Sequence, residues 1–185
     1  MKLVIGLVGR IGSGKTAISR HLQDNYGGEE HRFSRILMDI LDRLHLPHER
    51  THLQNLGKSL RAELGPDVIV NAFRKDLEKD KSDLLIVDGI RYENEVEMLK
   101  GLENSFLVFI TAPPEVRYER CVTRGEKGEA KITYEQFLEN DTAETEKRIE
   151  MIGQGADYTI DNSGTLDELL EKVDEMMEVL KRKSE

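Results

Sequence analysis

The sequence predicts an α/β domain built around a parallel sheet, and three observations lead there. Short apolar runs, Leu3 to Val8, Leu84 to Val87 and Phe106 to Ile110, alternate along the chain with amphipathic stretches, the pattern of buried strands joined by crossover helices. The first run gives way to a glycine-rich turn and then to a helical stretch from Lys15 to about Asn25. The 185 residues suffice for one domain with a substantial core, and neither an internal repeat nor a low-complexity linker divides them.

The remaining elements follow in order. A weak second strand covers Glu30 to Phe33. Ile36 to Leu44 reads as a helix with Ile36, Ile40, Leu41 and Leu44 on one side, ended by Pro47. In the next helix, Thr51 to Leu64, the leucines Leu53, Leu56, Leu60 and Leu64 form an apolar stripe, while Gln54, Lys58 and Arg61 lie on a different stripe. That helix is expected to pack by one face and to offer polar groups from another. Gly65-Pro66 breaks it, and Asp67 to Lys79 resumes. The Leu84–Val87 strand ends at Asp88, a helix spans Glu93 to Leu102, and Pro113-Pro114 after the next strand opens another helix. Gly125 to Ile132 is a charged, glycine-containing excursion. Thr133-Tyr134-Glu135-Gln136 and Thr165-Leu166-Asp167-Glu168 read as capping boxes. Between them Tyr158 to Ile160 is a short last strand, and the second box opens a terminal helix to about Lys181.

Composition narrows the function. Charged residues make up 34% and hydrophobic ones 38%, as in a soluble globular chain. No apolar run approaches the roughly 20 residues of a membrane span. The start, from Met1 to Gly9, has one positive charge at Lys2, a short apolar run and then a glycine turn, so it reads as a strand and not as an export signal, and a cytoplasmic location is expected. The lone Cys121 permits no disulfide within the chain and suits a reducing compartment. The net charge of −9 argues against a long polyanion bound across a face and for a small anionic ligand held in a pocket. Neither a nucleic acid nor a membrane is expected as a partner.

Gly9-Arg10-Ile11-Gly12-Ser13-Gly14-Lys15-Thr16 matches the pattern G-x-x-x-x-G-K-[ST] in full. Chemistry demands these residue types. Glycines let the backbone curl so that successive N–H groups point at phosphate oxygens, and the helix that follows presents its positive end to them. Lys15 is expected to reach the β- and γ-phosphates and Thr16 to place its hydroxyl on Mg²⁺. This P-loop also has the required context, an apolar strand before it and a helix after it.

Asp88, at the end of an apolar strand, suits the carboxylate that supports Mg²⁺ in such a site. The plainer reading is an N-cap for the next helix. In Asp88-Gly89-Ile90-Arg91 the glycine allows close approach, and Arg91 follows within reach to grip a second phosphate. Otherwise Arg91 is a surface residue paired with Glu93 or Glu95. Arg117, Arg120 and Arg124 form one basic stripe that leads into the Gly125–Ile132 excursion. A phosphoryl-transfer site needs such cations and a lid that excludes water, with Lys127 and Lys131 assisting. The alternative is a solvated stripe paired with Glu115 and Glu119. His45, His48 and His52 have ligand-like spacing, but Pro47 breaks their alignment. Cys121 reads as a packed apolar residue.

These motifs together resemble the nucleoside monophosphate kinase group of P-loop kinases. Ala156 to Thr165 is similar to that group's last strand and to the loop beside the donor adenine, which implies donor contacts for Asn162 and Gly164. Leu53-Gln54-x-Leu56-Gly57-x-x-x-Arg61 and Arg91-Tyr92-x-Asn94-Glu95 are similar to phage-type deoxynucleoside monophosphate kinases. The chain also looks like a set of microbial kinase-like ATPases. The resemblance implies a three-layer P-loop fold with a parallel five-stranded sheet in the order 2-3-1-4-5, a helical acceptor-binding segment at about 34–79 and a short lid at about 125–132. It further implies ATP and Mg²⁺ as cofactors and a small-molecule phosphate acceptor.

The leading expectation is therefore an enzyme that moves the γ-phosphoryl of ATP to a nucleoside or deoxynucleoside monophosphate. Its donor site would be Gly9 to Thr16 with Asn162 and Gly164, and its metal residues Thr16 and Asp88. Its acceptor residues would be Ser34, Arg35, Gln54, Arg61 and Arg91. Lys15, Asp88, Arg91, Arg120 and Arg124 would carry the chemistry. Dephospho-coenzyme A kinase, a relative, phosphorylates a hydroxyl and carries a carboxylate at the end of its second strand. This chain has His31-Arg32-Phe33-Ser34-Arg35 there, which favours an acceptor that is already anionic. From a different class, an ATP-switched protein acting on a macromolecular partner shares the P-loop but has no use for acceptor-side arginines.

Overall fold

A computed structural model of the chain describes residues 2–124, 132–141 and 144–184. Strand β1 (Leu3–Val8) is followed by α1 (Lys15–Tyr26), β2 (Glu29–Arg32), α2 (Phe33–Arg43), α3 (Arg50–Leu64), α4 (Val68–Lys79) and β3 (Leu84–Asp88). Then come α5 (Glu93–Lys100), β4 (Ser105–Thr111), α6 (Pro114–Arg124), α7 (Tyr134–Asp141), α8 (Glu144–Gln154), β5 (Tyr158–Asp161) and α9 (Leu166–Lys183). The strands form a five-stranded sheet in the order β2-β3-β1-β4-β5, with every pairing parallel. The expected order is the observed one.

Strand periodicity explains the layers. In β1, Leu3, Ile5 and Leu7 enter one core together with Ile18 and Leu22 of α1 and Leu169, Val173, Met176 and Leu180 of α9. Val4 and Val8 point the other way, into a core with Phe33 and Leu37 of α2, Ile69 and Phe73 of α4, Met98 and Leu99 of α5, and Ile149 of α8. A strand covered on both faces has no polar alternation, hence the continuous apolar runs in the sequence. Pairing in parallel brings all the strand ends that carry polar residues to one edge, where ligands bind in open α/β sheets.

Some boundaries differ from expectation. Helix α2 begins at Phe33, not Ile36, and β2 ends one residue earlier, because Phe33 is buried and stacks on Phe73 with ring centroids 4.0 Å apart. Leu53, Leu56 and Leu60 pack on the core, but Leu64 at the end of α3 is 66% exposed and does not continue the stripe. After the Thr133 capping box, formed by reciprocal bonds with Gln136, the chain makes two helices, α7 and α8. The expected lid, apart from Ile132, lies outside the described residues, as do Lys127 and Lys131. No helix among the described residues is long and apolar enough to cross a membrane.

Edge strand β2 carries little apolar surface, and a polar contact pins it. His31 Nε2 lies 2.8 Å from Asp80 Oδ2, and the Ser82 backbone N–H donates to Asp80 Oδ1 at 2.7 Å. The hydrogen bonds from Ser82, and after them His31, hold the Asp80 carboxyl down at about 2 from an ordinary 3.8. A carboxyl depressed by folding adds stability above its unfolded value and loses it as pH falls towards its folded one. Asp80→Asn is therefore expected to cost on the order of 1 kcal/mol at neutral pH. In urea titrations at a series of pH values, the gap between variant and wild type should close as pH drops from 3.8 towards 2.

Candidate active site

Strand β1 delivers the chain to the C-terminal edge of the sheet, and Gly9 to Gly14 turn it into α1. Gly12 (φ 76°) and Gly14 (φ 108°) occupy left-handed backbone conformations that side chains oppose. A Cβ at Gly12 would lie 2.5 Å from the Arg117 carbonyl oxygen, and one at Gly14 would collide with the Asn162 amide. The helix that starts at Lys15 has no acidic residue in its first turn. No carboxylate of its own thus competes with an anion at its positive end.

Curling the N–H groups inward turns the carbonyls outward, and those of Gly9, Arg10, Ile11, Ser13 and Gly14 meet donors of the protein. Lys15 Nζ donates to Gly9 O at 2.6 Å and Arg10 O at 3.1 Å. Arg117 Nη1 approaches Ile11 O at 3.4 Å. The buried Asn162 side chain donates to Ser13 O at 2.8 Å. Gly14 O accepts from the N–H groups of Ala17 and Ile18.

Arg117 corrects the expectation of a basic stripe. It is 3% exposed, and its guanidinium makes a two-pronged pair with Asp141 at 2.6 and 2.7 Å while Nε donates to Ala112 O. Arg10 of the loop meets the same carboxylate at 2.8 Å. Burial works to raise the Asp141 carboxyl, and the Arg117 and Arg10 guanidiniums outweigh it and hold it below its ordinary range. Asp141 went unrecognised in the sequence, where it is one acid among 36. Arg120 leaves the stripe too, donating to Asn162 O at 2.9 Å and Gly164 O at 3.0 Å. It thereby joins α6 to the segment after β5 that was expected beside the donor. Arg124 is exposed at the end of α6, where residues 125–131 begin.

Asp88 ends β3 and does not cap a helix, since α5 starts at Glu93. Its Oδ2 lies 3.5 Å from Arg32 Nε, and its Oδ1 is buried without a hydrogen-bond partner among the described residues. Ser13 Oγ in the loop is likewise buried with no partner among the described residues. Such atoms are costly unless a ligand satisfies them. The glycine cradle, the helix terminus and Lys15 fit the phosphates of a nucleotide, and the oxygen donors of Thr16 and Asp88 fit Mg²⁺, a hard cation. Thr16 is exposed in the first turn of α1.

Beyond Asp88 the chain passes Gly89 and reaches a second polar cluster. Glu95 is 2% exposed, and its Oε2 accepts from the N–H groups of Arg91 (2.7 Å) and Tyr92 (3.2 Å). Burial pushes its carboxyl up, against those hydrogen bonds and the nearby charges of Arg61 and Arg91. Arg61 of α3 stacks over the Tyr92 ring, 4.8 Å from its centroid. The structure thus brings Arg61 and Arg91 together around one buried acid. Gln54 is exposed on α3 and Ser34 is half-buried at the start of α2. Arg35 is 72% exposed and pairs with Asp39 on its own helix.

The Arg117–Asp141 pair yields a stability test. Removing one partner of a buried ion pair leaves an uncompensated charge, so Asp141→Ala is expected to cost about 3 kcal/mol. The measurement is the urea midpoint at unchanged slope. Because Arg10 and the carbonyl of Ile11 lose their anchor as well, nucleotide affinity in the folded fraction should fall.

Comparison with known proteins places this architecture. The chain is 27% identical over 174 residues to a UPF0200 protein of Sulfurisphaera tokodaii, spanning 94% of this chain and 95% of that one. It is 29% identical over 171 residues to a UPF0200 protein of Staphylothermus marinus, spanning 91% and 88%. Among solved structures, TT1252 from Thermus thermophilus matches with a TM-score of 0.66 at 18% identity, covering 97% of this chain and 98% of that one. Shikimate kinase from Acinetobacter baumannii, in complex with shikimate, matches with a TM-score of 0.59 at 21% identity, covering 100% and 97%. These structural likenesses show a shared P-loop kinase-like fold. A model of the AAA domain family (AAA_18) matches residues 5–147, a span that takes in the P-loop, Asp88, the Arg91–Glu95 turn and Arg117 with Asp141, and the chain belongs to that family.

Proposed function

We propose that the protein is an ATP-dependent phosphotransferase whose acceptor is a nucleoside or deoxynucleoside monophosphate. The observation that carries this reading is the continuity of the Asp88–Glu95 turn. It starts at the carboxylate beside the donor cradle and ends at the buried Glu95 that gathers Arg91 and Arg61. One short segment thus ties a triphosphate site to a pair of arginines suited to a second phosphate. The end of β2 supports an anionic acceptor over a neutral hydroxyl. Its last residue, Arg32, lies in register with Asp88 and presents a cation where a general base would be useful.

In this reading the loop N–H groups and Lys15 orient the donor phosphates. Thr16 and Asp88 hold Mg²⁺, which when bound neutralises developing charge on the phosphates. Arg124 on α6 offsets charge that spreads over the transferred group, while Arg120 holds the segment after β5 in place beside the donor. Arg91 and Arg61 hold the acceptor phosphate, and an ionised phosphate oxygen attacks without prior loss of a proton.

The test is a screen of the common ribo- and deoxyribonucleoside monophosphates with ATP and Mg²⁺, read as diphosphate formed. Dephospho-coenzyme A and shikimate serve as hydroxyl acceptors in the same screen. Conversion of a monophosphate is expected; turnover of a hydroxyl compound alone, or of none of the acceptors, would overturn the reading. With the converted monophosphate, Arg91→Ala should raise the acceptor KM about tenfold or more, as loss of a charge-assisted contact does. Its ATP affinity, measured by calorimetry, should stay within about twofold of wild type. Lys15→Ala should abolish turnover.

A further inference from the structure

A chain of polar contacts runs behind the residues assigned to the metal. Ser19 lies on α1 one turn after Thr16 and is 1% exposed. Gln23 Nε2 donates to its hydroxyl oxygen at 3.1 Å, and the hydroxyl donates to Glu30 Oε1 at 2.5 Å. Glu30 also accepts from Arg32, at 3.1 Å on Oε1 and 2.8 Å on Oε2. The Nε edge of the same guanidinium then reaches Asp88 Oδ2 at 3.5 Å. Strand periodicity explains the alignment: Glu30 and Arg32 share one face of β2, and parallel register sets Arg32 beside Asp88.

The direction of this chain is determined by its donors. Gln23 occupies the acceptor side of Ser19, so the serine proton goes to Glu30, and the Glu30 carboxylate is thereby committed at both oxygens. Arg32 is fastened by that carboxylate and faces one oxygen of Asp88 as an ion pair, whereas the other oxygen is buried with no partner among the described residues. A carboxylate fixed at one oxygen and bare at the other is oriented to accept a bond from a cation or from its bound water.

We propose that Arg32, anchored by Glu30 and Ser19, is a positioning residue that sets Asp88 for the divalent cation bound with the nucleotide. Thr16 and Ser19 share α1, so the relay also fastens the helix that carries one metal-holding group to the strand that carries the other. The inference rests on the donor half of the reading above and is independent of the acceptor.

The test is calorimetric titration of ATP into the full-length protein with Mg²⁺ and, separately, with a chelator. The quantity read is the ratio of the two affinities. Residues that orient metal ligands typically contribute 10- to 100-fold to metal affinity, so Arg32→Ala should lower this ratio about tenfold. Glu30→Gln, which leaves the arginine charge in place, should lower it in the same direction. Arg32→Lys should recover part of it, and metal-free ATP affinity should stay within about twofold throughout. A ratio unchanged or raised in both Arg32→Ala and Glu30→Gln overturns the proposal. Equal loss of affinity with and without Mg²⁺ also overturns it, because a merely structural role acts on both. Thermal melts of metal-free protein identify a variant that fails to fold, and Glu30→Gln and Arg32→Lys then decide the outcome. A lowered ratio in a protein that converts no monophosphate leaves the relay standing and removes the acceptor reading; the reverse result removes the relay alone.

Discussion

A backbone that turns its N–H groups towards a bound anion must turn its carbonyl groups towards something else. In this protein that requirement organises the end of the sheet. The carbonyls of Gly9, Arg10, Ile11 and Ser13 are met by Lys15, Arg117 and Asn162. The last two arrive from α6 and from the segment after β5, and they are held by Asp141 and by Arg120. Because Gly12 and Gly14 sit against Arg117 and Asn162 with no room for a side chain, the loop and its supports form a single packed unit. Preorganisation of this kind lets the N–H groups act on a phosphate without reorganising at the moment of binding.

The sheet supplies the geometry that makes such support possible. All strands run in parallel, so the chain arrives at the same edge after β1, β2, β3, β4 and β5. Each arrival contributes a polar group: the loop itself, Arg32, Asp88, the start of α6 and Asn162. The two faces then divide the labour. Helices α1 and α9 close one face, where Glu30 bonds Ser19 of α1 and Arg32 links Glu30 to Asp88. Helices α2, α4, α5 and α8 close the other, and α3 reaches over the Arg91 turn through Arg61.

Much of this was legible in the sequence, for physical reasons that differ by residue. The loop was readable because its backbone conformation demands glycines at fixed spacing. Asp88 was readable because a charge at the end of a buried strand stands out against its neighbours. Strand order required the family resemblance, since apolar runs carry no information on their partners. Arg117 was misread because helical spacing groups it with Arg120 and Arg124, whereas the side chain is drawn inward by Asp141, 24 residues away. Asp141 and Glu30 were invisible, and Glu95 was legible in its motif but not as a buried acid, because a buried carboxylate and a solvated one are the same letter in a chain with 36 acids. The start of α2 was placed late because the contact that decides it, Phe33 on Phe73, joins residues 40 apart.

The supports of the loop have a consequence for the order in which the protein comes into being. The loop lies at residues 9–16, yet its partners stand 106, 131 and 149 positions further along the chain. During synthesis the glycine segment emerges before these partners, and the carbonyls of Ile11 and Ser13 stay hydrated until β4, α6, α7 and finally β5 have been made. Contacts of such long separation form late and cooperatively. A nascent or truncated chain that ends before Asn162 therefore carries the entire nucleotide signature and lacks the means to hold it in shape. Nucleotide binding accordingly reports completion of the whole fold, and a bound nucleotide stabilises the complete chain in preference to fragments of it.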